Sequence, residues 1–190
     1  MMNIILASAS PRRTELMSLI TKDFTVKVSN FDESTMPDFP DPVAFVKYSS
    51  LMKAQDVFVD NPQCIVIGAD TVVAVDGEIL GKPKDDEDAF NMLKKLSGRA
   101  HTVVTGVTVI SRACRICTAC ETEVLFDDMT DESIRKYVAT GEPSDKAGAY
   151  AVQGLGAKYI KGVKGDFFNV VGLPVHLVAN ILAEFGEDVL

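Results

Sequence analysis

The sequence has no tryptophan, only two histidines and four cysteines among 190 residues. It also lacks any apolar run near the ~20 residues that a membrane-spanning helix requires. Its first residues carry neither the basic segment nor the long apolar segment of a signal peptide. These absences predict a cytoplasmic protein with no membrane partner. Because thiols in the cytosol stay reduced, the predicted cytoplasmic location also argues against disulfide bonds.

Positive charge is scarce, with 19 lysines and arginines against 27 aspartates and glutamates and a net charge of −8. A general nucleic-acid-binding surface needs a basic face, so this balance argues against a nucleic-acid partner. An anionic small molecule can still bind where lysines and arginines gather in one cleft.

Three cysteines, Cys114, Cys117 and Cys120, have a spacing that superficially resembles part of an iron–sulfur or zinc site. The surrounding residues predict a strand or hairpin, in which Cys114 and Cys120 face one side and Cys117 the other. The three thiols could not then share a metal ion, and we interpret them as incidental.

Length and composition fit one domain that covers residues 1–190. Apolar runs predict strands at 4–6, 24–28, 64–75, 78–80, 101–111, 116–126 and 159–163, with a turn followed by a strand over 145–154. Helical periodicity and end signals predict helices at 12–19, 43–56, 85–96, 131–139 and from 172–174 to about 185. A mixed β-sheet flanked by helices, an α/β fold, is the natural arrangement of these elements.

The first strand is followed by small residues at 7–10 and then by Pro11, Arg12 and Arg13. Ser10 is a good helix N-cap, and Pro11 suits the first helical position. A first helical turn normally prefers acidic residues, yet this one carries two arginines, and we expect both to face the same space. The pattern suits a polyanion such as a triphosphate. The alternative is a solvated arginine pair on an ordinary helix cap.

An aspartate, Asp70, ends the apolar run 64–70. An ionised carboxylate among apolar residues needs a partner, which could be a divalent cation, a lysine or a water molecule to be activated. Gly68 and Ala69 keep its surroundings open. The alternative is a capping or turn aspartate.

A second group of charged residues lies beside small residues or in loops. Asp32 and Glu33 occupy an acidic loop, and Lys53, Lys82 and Lys146 each adjoin small residues. Taken alone, these are an acidic turn and three surface lysines. Together with the two arginines, the lysines would supply five cations for one phosphate chain.

The two histidines, His101 and His176, are predicted to begin a strand and a helix, and neither is assigned a catalytic role. The sequence also has no G-x-S-x-G motif, so a serine-hydrolase triad has no support.

Several motifs, in order along residues 4–185, resemble the Maf family of nucleoside triphosphate pyrophosphatases. They are SASPRR at 8–13, GADTVV at 68–73, GKP at 81–83, LSG at 96–98, DKAGAY at 145–150 with QG at 153–154, GD at 165–166 and NVVGLP at 169–174. The resemblance implies an α/β fold with a twisted mixed sheet and two lobes around a deep cleft, similar to the inosine triphosphatase family. It also implies hydrolysis of a nucleoside triphosphate between the α and β phosphates, with Mg²⁺ or Mn²⁺, by a homodimeric house-cleaning enzyme.

The resemblance assigns roles to individual residues. It implies that Asp70 is the catalytic base and that Glu33 and Asp70 hold the metal. The residues that it implies for substrate binding are Ser8, Arg12, Arg13, Lys53, Thr71, Lys82, Lys146 and Gln153. Among these, Arg13 and the three lysines match phosphate-contacting positions, and Arg12, Thr71 and Gln153 match positions that set substrate choice.

The form of the DKAGAY and QG motifs resembles the branch that acts on dTTP and UTP. Three alternatives stay open: a 7-methyl-GTP pyrophosphatase of the same family, a nucleotide-binding regulator of cell division, and a metal-dependent phosphohydrolase that releases single phosphates. The cysteine-containing hairpin at 114–120 departs from the family motifs.

Overall fold

The structure, a computed structural model, describes residues 3–187 and shows a mixed seven-stranded sheet flanked by helices. The strands are β1 (Ile4–Ala7), β2 (Phe24–Val26), β3 (Ile65–Val75), β4 (Glu78–Leu80), β5 (Ala100–Ile110), β6 (Arg115–Phe126) and β7 (Ile160–Lys164). The helices are α1 (Pro11–Met17), α2 (Pro42–Val59), α3 (Asp86–Leu96), α4 (Asp131–Val138), α5 (Phe167–Val171) and α6 (Val175–Glu184). The predicted α/β fold is confirmed.

The strand order is β2-β1-β3-β5-β6-β7, with β4 paired to β3 beyond the end of β1. β1 runs parallel to both β2 and β3, whereas the pairs β3–β4, β3–β5, β5–β6 and β6–β7 are antiparallel. The parallel pairs need helical crossovers, and the antiparallel pairs β3–β4 and β5–β6 use short turns. This arrangement is the predicted mixed sheet.

One edge of β3 is interrupted in its middle. β1 pairs with Ile65 to Gly68, and β4 pairs with Val73 to Val75. Residues 69–72 therefore have β5 on one side and, within the described part of the chain, no strand on the other. The sheet is open at this point, where its two halves meet.

Two hydrophobic cores lie on either side of this opening. One contains Leu6, Met17 and Leu182 from β1, α1 and α6. The other contains Leu93 and Ile134 from α3 and α4, packed against the far halves of β3, β5 and β6. The two cores correspond to the two lobes that were predicted, and the long strands β3, β5 and β6 connect them.

Helix α2 lies directly on the middle of the sheet because two strand residues have no side chain. A Cβ atom on Gly68 would lie 2.3 Å from the carbonyl oxygen of Ser50, and one on Gly106 would lie 2.1 Å from that of Val46. A buried hydrogen bond of 2.9 Å between Ser50 Oγ and Thr108 Oγ1 also joins the helix to the sheet. These contacts fix how closely α2 approaches the sheet, and therefore where its side chains lie relative to β3 and β5.

Two sequence predictions need correction. The strand expected within 145–154 is absent, and the chain forms short 3-10 turns at Glu142–Asp145, Ala147–Ala149 and Leu155–Tyr159. Gly148 and Ala149 have φ values of 66° and 60°, which a strand does not allow. Helix α5 was missed, although Asp166 accepts hydrogen bonds from Phe168 N and Asn169 N as an N-cap.

The cysteines are free thiols, and Cys117 Sγ lies 3.5 Å from the carbonyl oxygen of Lys47 on α2. Within residues 3–187, no three histidine, cysteine or acidic side chains form a cluster suited to a metal ion. In the same part of the chain, every helix is too short or too polar to cross a bilayer.

Candidate active site

A cleft of about 520 Å³ opens between the lobes at the interrupted edge of β3. Every candidate site residue from the sequence lines it: Ser8, Arg12, Arg13, Glu33, Lys53, Asp70, Thr71, Lys82, Lys146 and Gln153. The structure thus brings together residues up to 145 positions apart, from Ser8 to Gln153. Their individual roles stay predictions.

Asp70 is the best-defined acidic group of the cleft. It lies in the middle of β3, which continues to Val75 as the predicted strand 64–75 does. Its Oδ1 atom lies 2.7 Å from Lys53 Nζ on α2, and the two side chains are 13% and 14% exposed. The partner that the carboxylate requires is therefore a lysine, whose hydrogen bond orients the carboxylate.

Glu33 joins this pair from the loop before α2, with its Oε1 atom 2.8 Å from Lys53 Nζ. Its neighbour Asp32 is an N-cap: Asp32 Oδ1 accepts a hydrogen bond from Ser34 N at the start of the 3-10 turn Glu33–Thr35. That hydrogen bond lowers the pKa of Asp32. Of the two acidic residues predicted from this loop, only Glu33 reaches the cleft.

The carboxylates of Asp70 and Glu33 have the chemistry of a divalent-cation site. Both approach one cationic atom, Lys53 Nζ, within 2.8 Å. Mg²⁺ in phosphate-transfer sites is commonly bound by one or two carboxylates, with phosphate oxygens and water completing the shell. The donor set therefore fits a metal that binds together with a polyphosphate.

Thr71 follows Asp70 in β3 and points to the other face of the sheet, because neighbouring strand residues point to opposite sides. Arg13 of α1 contacts Thr71 on that face. Arg13 Nε donates to the carbonyl oxygen of Gly172 at 2.8 Å, and Arg13 Nη2 donates to Thr71 Oγ1 at 3.0 Å. Burial lowers the pKa of Arg13, while nearby Asp70 raises it. A guanidinium stays protonated at neutral pH. Arg13 thus provides a fixed positive charge at the cleft wall.

Arg12 does not share the environment of Arg13. Its side chain is 35% exposed, and its Nη1 atom lies 3.5 Å from Asp145 Oδ2. Both guanidinium groups line the cleft, as expected, but they have different partners and different exposure. Ser10 does occupy the N-cap position of α1, but its side chain makes no capping hydrogen bond. Its N–H group donates to Ser8 Oγ at 3.2 Å.

A polar chain that the sequence did not reveal continues from Thr71 into the protein. Thr71 Oγ1 and Thr105 Oγ1 share a hydrogen bond of 2.9 Å, and Thr105 Oγ1 donates to Asn169 O at 3.1 Å. The buried Asn169 side chain donates to Val103 O and to Thr122 Oγ1, both at 3.0 Å. An asparagine inside the apolar run Phe-Phe-Asn-Val-Val was the available signal for this chain.

The wall opposite α1 is formed by the segment around Lys146. Lys146 Nζ donates to Glu142 O at 3.0 Å and to Asp145 Oδ1 at 2.5 Å. The hydrogen bond from Lys146, assisted by Arg12, lowers the pKa of Asp145. Sequence reasoning did not single out Asp145, whose one carboxylate contacts two cations of the predicted site, Arg12 and Lys146.

Lys82 and Gln153 complete the cleft with exposed side chains. Within residues 3–187, the ammonium group of Lys82 forms no ion pair, so it can donate to a phosphate without losing a protein partner. The histidines are not among the cleft-lining residues. His101 is buried against Tyr150, and His176 lies at the start of α6.

The fold resembles that of the Ham1 protein of Staphylococcus aureus. The two structures superimpose with a TM-score of 0.54 over 96% of this chain and 99% of that one, at 15% sequence identity. At this identity the likeness concerns the fold alone.

Sequence relatives are much closer. The dTTP/UTP pyrophosphatase of Moorella thermoacetica is 48% identical over 191 residues, covering 100% of this chain and 98% of that protein. The dTTP/UTP pyrophosphatase of Clostridium novyi is 47% identical, covering 98% and 100%. That of Clostridium perfringens is 45% identical and covers both chains completely. The family model described as Maf-like protein matches residues 3–185. With almost its whole length matched, the chain belongs to the Maf-like protein family.

Proposed function

We propose that this protein is a nucleoside triphosphate pyrophosphatase that hydrolyses dTTP and UTP to the monophosphate and pyrophosphate. The observation that carries this proposal is the position of the Asp70 carboxylate, held by Lys53 in a cleft that further cations line. Relatives that are 45–48% identical over nearly their whole length are named for this activity.

Asp70 acts in this proposal on the water molecule that attacks the α phosphate. Displacement at phosphorus needs a nucleophile in line with the leaving group, and a fixed carboxylate can orient and deprotonate such a water. Lys53 holds Asp70 at 2.7 Å and so limits its rotation. The nearly buried position of this pair keeps the carboxylate directed into the cleft.

The other cations stabilise the negative charge of the leaving pyrophosphate. Arg13 and Lys82 line the same cleft as Asp70. Fixed positive groups of this kind stabilise charge that develops in the transition state. A triphosphate would compete with Asp145 for Arg12 and Lys146, since Asp145 contacts both.

The divalent cation, Mg²⁺ or Mn²⁺, is proposed to bind Asp70 and Glu33 with the phosphates. When bound, such an ion neutralises phosphate charge and acts as a Lewis acid. Lys53 Nζ lies 2.7–2.8 Å from both carboxylates and so holds the two groups that would bind the ion close together.

Base recognition is assigned to Gln153, with Arg12 and Thr71 as further contributors. Thr71 Oγ1 already accepts from Arg13 and shares a hydrogen bond with Thr105, so little of its bonding capacity is left for a ligand. The Gln153 side chain is exposed in the cleft, and its amide can both donate and accept. Such a group can pair with the adjacent carbonyl and N–H groups of thymine or uracil.

We also propose that the protein acts in the cytoplasm as a homodimeric house-cleaning enzyme that removes excess or modified nucleotides. Light scattering on the purified protein would test the dimer, since it gives the molar mass of the particle directly. A mass of about one chain would contradict it.

A panel of triphosphates tests the activity. The purified protein is incubated with dTTP, UTP, CTP, GTP or 7-methyl-GTP and with Mg²⁺ or Mn²⁺, and pyrophosphate and orthophosphate are measured separately. We expect pyrophosphate from dTTP and UTP, and none when the metal is chelated. Orthophosphate alone would indicate a different phosphohydrolase. Preference for 7-methyl-GTP would place the protein in the other branch, and binding without hydrolysis would favour a regulator.

A further inference from the structure

Two proposed substrate-binding residues, Lys146 and Gln153, belong to a segment with almost no regular structure. Residues 142–156, here called the cleft segment, contain only short 3-10 turns and extended links. A segment of this kind has few backbone hydrogen bonds of its own to fix its shape. Besides a backbone hydrogen bond from Gly148 N to Gly81 O at 3.0 Å, side chains hold it in place, and one acidic residue provides several of these contacts.

The carboxylate of Glu142 joins the two ends of the cleft segment. Its Oε1 atom accepts a hydrogen bond from Leu155 N at 2.9 Å, and its Oε2 atom accepts one from Gly156 N at 3.0 Å. Oε2 also accepts from Tyr137 Oη of α4 at 2.6 Å. The main-chain oxygen of Glu142 accepts from Lys146 Nζ at 3.0 Å. One residue therefore closes the segment, attaches it to α4 and holds a proposed phosphate-binding lysine.

Tyr137 extends this closure toward Gln153. Its side chain is buried, and its hydroxyl accepts a hydrogen bond from Ala151 N at 3.1 Å while donating to Glu142. Ala151 lies two residues before Gln153 in the sequence. Glu142 and Tyr137 thus fix the backbone on both sides of the glutamine.

Two glycines of the segment, Gly154 and Gly156, leave the space that the side chains of Glu142 and Tyr137 occupy. A Cβ atom on Gly154 would lie 2.1 Å from Glu142 Oε1, and one on Gly156 would lie 2.5 Å from Tyr137 Oη. Gly154 has φ −120°, which any residue can adopt. The carboxylate of Glu142, and not the backbone conformation, therefore demands glycine at position 154.

Glu142 acts as a charged acceptor. Burial raises the pKa of Glu142, but the hydrogen bonds from Tyr137, Leu155 and Gly156 outweigh it and lower the pKa below its usual value. Hydrogen bonds to an ionised acceptor are roughly twice as strong as neutral ones. Neither Glu142 nor Tyr137 is among the residues that line the cleft, so neither is placed to touch a nucleotide there.

We propose that Glu142, together with Tyr137, is a positioning residue that sets the Lys146 ammonium group and the Gln153 amide for nucleotide binding. This inference rests on the proposed function, in which Lys146 and Gln153 bind the substrate. It predicts an effect on substrate binding that is separate from the chemical step, because the Glu142 carboxylate is bonded to Tyr137, Leu155 and Gly156, whereas Lys53 pairs with Asp70 and Glu33.

The first test replaces Glu142 by glutamine, which keeps the shape but turns an NH₂ group toward a backbone N–H donor. We expect the KM for dTTP to rise about tenfold or more while kcat changes less than about threefold, as for a lost charge-assisted hydrogen bond. Tyr137→Phe, which removes only the hydroxyl, should shift KM in the same direction. If Glu142→Gln does not fold, the KM of Tyr137→Phe alone tests the positioning role. A lower Tm with unchanged KM in the variant measured would overturn the positioning role.

The second test uses the contact between Glu142 and Gly154. Gly154→Ala should raise KM in the wild-type background, because its Cβ would collide with the carboxylate. In the Glu142→Ala background the same change should have little further effect. Equal effects in both backgrounds would contradict the inference. Gly162→Ala in β7, where a Cβ meets nothing within 4 Å, is the control.

The activity of the wild-type protein distinguishes a failure of the proposed function from a failure of the positioning role. If it releases no pyrophosphate from any triphosphate, the proposed function and this inference both fail. If it is active and the Glu142 and Tyr137 variants keep the wild-type KM, only the positioning role fails.

Discussion

Gly106 of β5 lies directly opposite Asp70 of β3, and the missing side chain at Gly106 admits the backbone of α2. The α2 residue in closest approach is Val46, whose carbonyl oxygen would lie 2.1 Å from a Cβ at position 106. Lys53 follows Val46 by about two helical turns on the same face of the helix. The glycine therefore sets the height from which Lys53 reaches the Asp70 carboxylate at 2.7 Å.

Replacing Gly106 by alanine should displace α2 and lengthen the contact between Lys53 and Asp70. Overpacking in a rigid core costs about 1–3 kcal/mol or more, so we expect a lower Tm together with a lower kcat. Thermal unfolding and pyrophosphate release measure the two effects. Gly162→Ala, at a site with free space, should change neither. An active Gly106→Ala variant with wild-type Tm would show that α2 is not held by this contact.

Asp70→Asn should abolish most turnover and leave nucleotide binding intact. The amide cannot take a proton from water, and loss of a general base typically reduces the rate by about 10²–10⁴-fold. Pyrophosphate release gives kcat, and calorimetry with dTTP gives the affinity. Asp23→Asn, an exposed carboxylate that does not line the cleft, is the control. Near-normal activity of Asp70→Asn would exclude Asp70 as the base.

Arg13→Ala should weaken triphosphate binding and also destabilise the fold. A charge-assisted contact to phosphate contributes about 1.5–3 kcal/mol. The change also removes the hydrogen bonds to Gly172 O and Thr71 Oγ1, which connect α1 to β3 and to the turn before α6. Affinity is best measured in the Asp70→Asn background, where turnover does not interfere.

Arg13→Lys is the informative comparison for the arginine. It keeps the charge but cannot reproduce the planar guanidinium fork, so we expect part of the affinity and less of the Tm to be recovered. If Arg13→Ala binds dTTP as tightly as the parent, the residue is purely structural.

His101 should make stability depend on pH. It is 4% exposed, bonded to Tyr150 Oη at 2.8 Å, and burial lowers its pKa to about 4. Unfolding returns the pKa to about 6.5, so between pH 6.5 and pH 4 the unfolded chain binds one more proton than the folded chain. The free energy of unfolding then falls with falling pH across this window, by roughly 3 kcal/mol from this group.

The change His101→Gln keeps a polar partner for Tyr150 but removes the titration. We expect the variant to have a flatter pH dependence of Tm between pH 4 and pH 6.5 than the wild type. Parallel curves for the two proteins would show that His101 does not titrate differently on folding.

The elements with strong local signals were predicted well. Helix α3 carries its cap at Asp85 and an apolar face that ends at Leu96, and the β3–β4 hairpin turns at Asp76 and Gly77 as its sequence indicates. The segment 145–154 was predicted incorrectly as part strand. Its shape depends on Glu142 and Tyr137, whose contacts with residues 151–156 no local pattern reveals.

Local patterns in the sequence were enough to name the charged groups of the candidate site, because these groups stand beside strands, turns and helix caps that a few neighbouring residues identify. The sequence also identified the family, because the motifs follow in order along nearly the whole chain. The folded chain was needed to show that Lys53 is the partner of Asp70 and that Arg13 donates to Thr71. It was also needed to show that Asp145 pairs with Arg12 and Lys146. These contacts join distant residues, and they depend on how closely α1 and α2 pack against a sheet whose middle strand has an open edge.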